Sequence, residues 1–129
     1  MIHLNGLPLP CTINSMYRAI PIRLGKRVVL KQVLSKRARE RRKLLVATIL
    51  DRLGGTPVAL RGPVQVTYTI TPRDRRVADV DAYEKHLLDC LQHAGVIEND
   101  RQVVQVSKER LPTPQSPGHI DVQIWEITP

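Results

Sequence analysis

The sequence predicts a small α+β domain, a mixed β-sheet with two helices packed on one face. Three observations lead there. The run "VQVTYTI" (64–70) alternates, with Val64, Val66, Tyr68 and Ile70 on one face, the period of a half-buried strand. Leu45, Ile49 and Leu53 recur at i, i+4, i+8 beside Val46 and Leu50, the period of an amphipathic helix. A second helical stretch is then followed by two more strand-like runs, so helices and strands mix without strict βαβ repetition. With 129 residues, no internal repeat and no linker, the chain is expected to be a single domain over 1–129.

Taken in order, residues 3–9 read as a short strand ended by Pro8 and Pro10, and 11–27 as irregular and basic. "RVVLK" (27–31) reads as a short strand. A helix is expected from about Ser35 to Leu53, stopped by Gly54 and Gly55. After the strand at 64–70, "TPRDRRVA" is a polar connection. The second helix is expected from about Ala82 to Ala94, with Tyr83, Leu87 and Leu91 one turn apart and Gly95 as its stop. "QVVQVSKERL" (102–111) and "HIDVQIWEI" (119–127) complete the order as strands, joined by a loop with three prolines.

The composition is globular, 42% hydrophobic and 25% charged, but there is no Phe and few other aromatics. The core must therefore be aliphatic, and a single-stranded nucleic acid stacked on an aromatic platform is disfavoured. Twenty Lys+Arg against twelve Asp+Glu give a formal charge of +8, which points to an anionic partner. The excess is concentrated: Arg18 to Lys43 holds eleven basic residues against one acid, Glu40. That imbalance favours nucleic acid over a merely solvated helix face.

The start "MIHLNGLPLPCTIN" has neither a basic n-region nor an apolar h-region, and no run is long and apolar enough for a membrane span. Cys11 and Cys90 form no C-x-x-C pair, and Cys90 lies on an apolar helical stripe. A cytoplasmic protein with reduced thiols and no membrane contact is expected.

The candidate chemistry centres on "RDRRVADVDAYEK" (73–85), where Asp79 and Asp81 stand one residue apart behind a group of arginines. In extended chain such residues share a face roughly 6.5 to 7 Å apart. Two carboxylates so placed, with a third from elsewhere, suit a hard cation such as Mg²⁺. The bland reading of "DAYE" is a helix capping box, Asp81 as N-cap and Glu84 at N3; it leaves Asp79 unexplained. Within "VIEND" (96–100), either Glu98 or Asp100 is the candidate third acid, with an ordinary polar turn as the plainer alternative. Lys85 lies one turn past Asp81, positioned to pair with Asp81 or Asp89, or to reach a phosphate. His3, His86, His93 and His119 have no zinc spacing and are assigned to solvent and core. No Gly-rich phosphate loop or G-x-S-x-G element exists, so no nucleotide cofactor and no serine-hydrolase chemistry is expected.

On these residues the chain resembles a known family. "DVDAYEKHLLDCLQHAGVIENDRQV" (79–103) is similar to the signature of the RusA-type Holliday junction resolvases: a D-x-D-N-x-x-K segment, a short helix, "AG", and a final acid before a strand. "LPLPCTINSMYR" (7–18) resembles the family's proline-rich opening, with Asn14 and Tyr17 in its Asn and aromatic places. The resemblance covers nearly the whole chain. It implies a homodimeric, Mg²⁺-dependent endonuclease that nicks four-way DNA junctions symmetrically, in recombination and repair. Its acidic positions fall on Asp79, Asp81 and Asp100, as metal ligands and catalytic residues, and its lysine falls on Lys85. Asn14, Tyr17, Arg73, Arg75 and Arg76, together with Arg18, Lys26 and Arg27 from the basic stretch, are the expected contacts to DNA. Three positions depart from the pattern: Ala78 stands where a basic residue is frequent, Ala82 where Asn is usual, and Asn99 where an acid is frequent.

Two other functions compete: a non-catalytic DNA-binding or architectural protein, and a branched-DNA nuclease of relaxed specificity. Paired cuts on a near two-fold junction require two sites, hence a homodimer. On the last strand Ile120, Val122 and Ile124 share one face, whereas Trp125 and Ile127 are apolar on the other. They are the candidate interface residues, with core packing as the alternative.

Overall fold

The computed structural model describes residues 1–76 and 78–127. The elements run β1 (Ile2–Leu7), α1 (Ile13–Met16), β2 (Tyr17–Leu24), β3 (Arg27–Leu34), α2 (Lys36–Leu53), β4 (Val64–Thr71), α3 (Glu84–His93), β5 (Val103–Arg110) and β6 (His119–Glu126). A single 3₁₀ turn, Asp100–Gln102, precedes β5. The α+β class is as expected. The strands form two sheets rather than one: β1-β6-β4-β5, and a separate β2-β3 hairpin.

In the larger sheet, β6 lies antiparallel between β1 and β4, while β4 and β5 are parallel. A parallel pair cannot be closed by a tight turn and needs a crossover, which α3 supplies. The alternation read from the sequence is the burial pattern observed. Val64, Val66, Tyr68 and Ile70 of β4 and Ile120, Val122 and Ile124 of β6 are all at most 1% exposed. They join Leu45 and Ile49 of α2 and Leu87, Cys90 and Leu91 of α3 in one cluster, with Leu4 and Leu7 from β1. The core is aliphatic but for Tyr68. Trp125 and Ile127 are half-buried and lie outside that cluster.

Helix α2 begins as its sequence dictates. Ser35 is the N-cap, its Oγ accepting from the Ala38 amide at 3.1 Å and donating to the Ser15 carbonyl at 2.7 Å. Gly54 closes it with φ of 74°, a left-handed conformation that a side chain would resist. Helix α3 starts two residues later than expected. Its N-cap is Tyr83, with no side-chain cap, so the Asp81–Glu84 capping box does not form. Asp81 instead lies in the turn before the helix.

The basic segment 11–27, expected to be irregular, holds α1 and β2. Its signal was hidden because β2 and β3 form a two-stranded ribbon, and neither strand has a fully buried face to impose a clear alternation. Pro21 in mid-strand is tolerated because each strand of a pair is an edge.

The ribbon and α1 are tied to the rest by a second small cluster, Cys11, Met16 and Ala38 with Tyr17 and Leu34. Beside it His86 is 1% exposed and fully bonded: Nδ1 accepts from the Cys11 amide at 2.8 Å, and Nε2 lies 3.1 Å from the Ala38 carbonyl. That pairing requires the neutral ring with its proton on Nε2. Burial holds the imidazole below its usual 6.5, and Arg42 and Arg41 add to this against the opposing pull of Asp89 and the Ala38 hydrogen bond. Because the unfolded chain takes up a proton that the folded one resists, the His86 contribution is complete above about pH 6.5 and fades as the pH falls below it. Unfolding monitored by urea between pH 7.5 and 5.5 should show stability declining towards acid, and His86→Gln should flatten that decline. His86→Leu, which strands the buried Cys11 amide while the Ala38 carbonyl keeps its helical partner, should cost about 1–3 kcal/mol at neutral pH.

Candidate active site

The connection from β4 to α3 runs past the end of the sheet as a turn, Val80–Tyr83, and not as extended chain. The Ala82 amide donates to the Asp79 carbonyl at 3.0 Å and the Glu84 amide to the Asp81 carbonyl at 3.1 Å. Val80, between the two aspartates, packs against the core, and its carbonyl accepts from the Tyr68 hydroxyl at 3.1 Å. Val80 is half-buried there, while the aspartates on either side of it are both exposed.

Two other segments close on this turn. The Ile13 amide donates to the Ala82 carbonyl at 2.8 Å, docking α1 and bringing Asn14 alongside. From the far end of α3 the chain returns through the 3₁₀ turn that carries Asp100. Gln102 clamps this turn: its Oε1 accepts from the Glu98 and Asn99 amides, and its Nε2 donates to the carbonyls of Leu60 and Gly62. Asn99 caps the turn by accepting from the Arg101 amide at 2.8 Å. The Asp100 amide donates to Gln92 of α3 at 3.2 Å.

The result is an open cleft of about 700 Å³ whose walls include Asp79, Asp81, Lys85, Asp100 and Asn14. Among the described residues, none of these four charged side chains has an ion-pair partner within the fold. Asp89, offered as a partner for Lys85, is engaged by Arg42 at 3.3 Å and His93 at 3.6 Å. Glu98, the alternative third acid, is paired with Arg61 at 3.2 Å and does not line the cleft. Among the described residues no three His, Cys, Asp or Glu side chains stand close enough together to ligate a metal ion as placed. The donor set is nonetheless that of a hard cation: three exposed carboxylates on one cleft, with no soft ligand among them.

Glu84 is the cleft residue that spacing did not reveal, because a helix cap already accounted for it. It receives Lys108 of β5 at 2.9 Å, and its Oε1 lies 3.0 Å from the Tyr68 hydroxyl. Burial and the adjacent Glu84 carboxylate push the Tyr68 phenol well above its usual range, so it stays a donor throughout the working pH. Arg110, also on β5, donates to the Ala78 carbonyl, fastening the strand edge to the aspartate turn. Only the parallel pairing of β4 with β5 delivers these two basic residues.

The expected DNA contacts divide. Tyr17 is half-buried in the second cluster, while Arg18, Lys26 and Arg27 are exposed on the hairpin and line neither this cleft nor its neighbour. Arg73 and Arg76 pair with Asp74 at 3.3 and 3.7 Å, and Arg75 is exposed beside Arg76 and Arg110.

An exposed acidic cleft with a lysine, on a strongly basic α+β chain, marks an enzyme that handles a polyanion. Residues 22–125 match the family model described as Endodeoxyribonuclease RusA, and the chain belongs to that family. It is accordingly an endodeoxyribonuclease of the Holliday-junction-resolving kind. None of the curated proteins matches the sequence. Among the described residues no helix is long and apolar enough to cross a membrane.

Removing the hydroxyl that serves both Val80 and Glu84 should loosen the aspartate turn without opening a cavity. Tyr68→Phe is expected to lower stability by about 1 kcal/mol, read as a reduced urea midpoint at unchanged slope.

Proposed function

We propose that the chain cuts four-way DNA junctions with Mg²⁺ held by Asp79, Asp81 and Asp100. The observation that carries this is their meeting, with Lys85, on one open cleft from segments twenty residues apart, none neutralised by a partner among the described residues. A bound Mg²⁺ would polarise the scissile phosphodiester and lower the pKa of an attacking water. The residues themselves do the rest. The three carboxylates, exposed and unpaired, are available as oxygen donors. Lys85, on the first turn of α3, meets negative charge developing on the phosphoryl oxygens. Asn14 of α1, which also lines the cleft, offers an amide donor suited to a phosphate or sugar oxygen. The openness of the cleft admits a DNA strand from the side.

Two cuts on a near two-fold substrate need two such clefts, and a C2 homodimer supplies them. Trp125 and Ile127, half-buried on the less buried face of the sheet, are the proposed interface residues. Sedimentation should give a species near 29 kDa, twice the 14.6 kDa chain. A persistent monomer that still makes both cuts in one binding event would overturn this assembly.

The decisive assay is nicking of a synthetic four-way junction, with and without Mg²⁺, beside linear duplex. Asp79→Asn, Asp81→Asn and Asp100→Asn should each reduce cleavage by about 10³-fold or more. Junction binding should be kept or tightened, since each change removes negative charge near phosphate. Wild-type cleavage by Asp100→Asn would dismiss it as a ligand.

A further inference from the structure

A second cleft borders the first at Thr12, and its chemistry is the opposite. It measures about 490 Å³ and is walled by four guanidinium side chains: Arg37 and Arg41 of α2, and Arg73 and Arg76 of the loop after β4. Arg37 and Arg41 are one helical turn apart and share a face. The hydroxyl residues Thr12, at the start of α1, and Ser15, within it, complete the wall. Thr12 lines both clefts, so the basic cleft and the carboxylate one share a wall residue.

The positive charge there is poorly compensated from within. Asp74 is one carboxylate between two arginines, Arg73 and Arg76. Among the described residues no carboxylate stands within ion-pair distance of Arg37 or Arg41. Glu40 is the nearest acid on their helix, and it pairs with Lys36 at 3.9 Å. Four like charges gathered in one concavity repel, and a fold keeps such an arrangement when an anion from outside relieves it.

The arginine loop is also held in place. Gly118, at φ of 79°, packs so closely that an added Cβ would lie 2.8 Å from the Arg73 amide nitrogen and 2.7 Å from Leu9 Cδ1. The Gln115 amide donates to the Pro72 carbonyl at 2.8 Å, so the proline-rich loop braces the chain just before Arg73. On the other side, the His86 bond to Cys11 fixes the segment that carries Thr12.

We propose that this cleft is an anion subsite that takes backbone phosphates of the DNA strand leading away from the carboxylate cleft, with Arg37 and Arg41 as its principal contacts. The inference rests on the nuclease reading above. Guanidinium groups suit phosphate because each presents a planar pair of donors that can bridge two oxygens. Arg39 and Lys43 sit on the same helix with the same charge but line neither cleft, which makes them the natural control.

The test is binding of a fluorescent synthetic four-way junction by anisotropy in EDTA over a salt series, then single-turnover nicking with Mg²⁺ at saturating protein. Arg37→Ala with Arg41→Ala should weaken binding about tenfold or more near 100 mM salt and lower the salt slope by about one to two. Arg39→Ala with Lys43→Ala should stay within about threefold of wild type and keep more of that slope. Arg37→Lys with Arg41→Lys, which keeps charge but loses the fork, should fall between, and it decides the matter if the alanine pair fails to fold. At saturation the cleavage rate should survive the alanine pair. Binding within about threefold of wild type at an unchanged slope, or equal losses from both alanine pairs, would overturn the subsite. Arginine-dependent binding by a wild-type chain that never nicks would keep the subsite and sink the nuclease reading instead.

Discussion

The imidazole of His86 holds together the parts on which both clefts depend. It is buried on α3, yet each of its nitrogens is spent on backbone from a different part of the chain, the Cys11 amide and the Ala38 carbonyl. Those two contacts fasten the proline-rich segment and the first turn of α2 to the helix that carries Lys85. The segment from Cys11 to Ser15 is the shared wall: Ile13 and Asn14 line the cleft of the aspartates, Cys11 and Ser15 that of the arginines, and Thr12 both. A charged ring has no acceptor to offer Cys11, so the arrangement is tied to the neutral imidazole and to a dry interior. Cys90 shows the same dryness, its thiol pushed up to about 12 by burial.

Around this anchor the molecule separates its charges. Asp79 and Asp81 tolerate proximity because both carboxylates are exposed to solvent, where repulsion is weak. Asp100 is delivered from the other end of α3 by a turn that Gln102 fastens, accepting from the Glu98 and Asn99 amides and donating to the carbonyls of Leu60 and Gly62. No arginine of the neighbouring cleft neutralises the acids, although Arg73 and Arg76 lie only a few residues before them. Asp74 engages both instead. A nuclease needs that separation, since carboxylates paired to arginine would have no oxygen left for a cation or a water.

The three departures from the family pattern find roles here that depend little on the side chain the family prefers. Ala78 contributes its carbonyl, which accepts from Arg110. Ala82 contributes both backbone groups, its amide to Asp79 and its carbonyl to Ile13. Asn99 supplies a neutral cap for the turn that presents Asp100. At the first two positions the backbone makes the contact, so loss of a longer side chain leaves the turn standing.

The strands at 64–71 and 119–126, the long helix and both glycine stops were legible in the sequence, because burial repeats every two or 3.6 residues and a side-chain pattern records it. Asp79, Asp81 and Lys85 stood out as candidates from their spacing beside ordinary readings as a cap and an ion pair, and the family resemblance added Asp100. The β2–β3 ribbon was not legible, for it has no fully buried face to write a period into Tyr17–Leu34. The plainer alternative for Asp81, a helix cap, fits the local pattern but does not form, because the helix starts at Glu84 with Tyr83 as its N-cap. Which acid of "VIEND" reaches the cleft, that Lys108 holds Glu84, and that Arg37 and Arg41 meet Arg73 and Arg76 were decided by tertiary structure alone. Each depends on a crossover or loop joining segments tens of residues apart, and no periodicity along the chain encodes a distance across it.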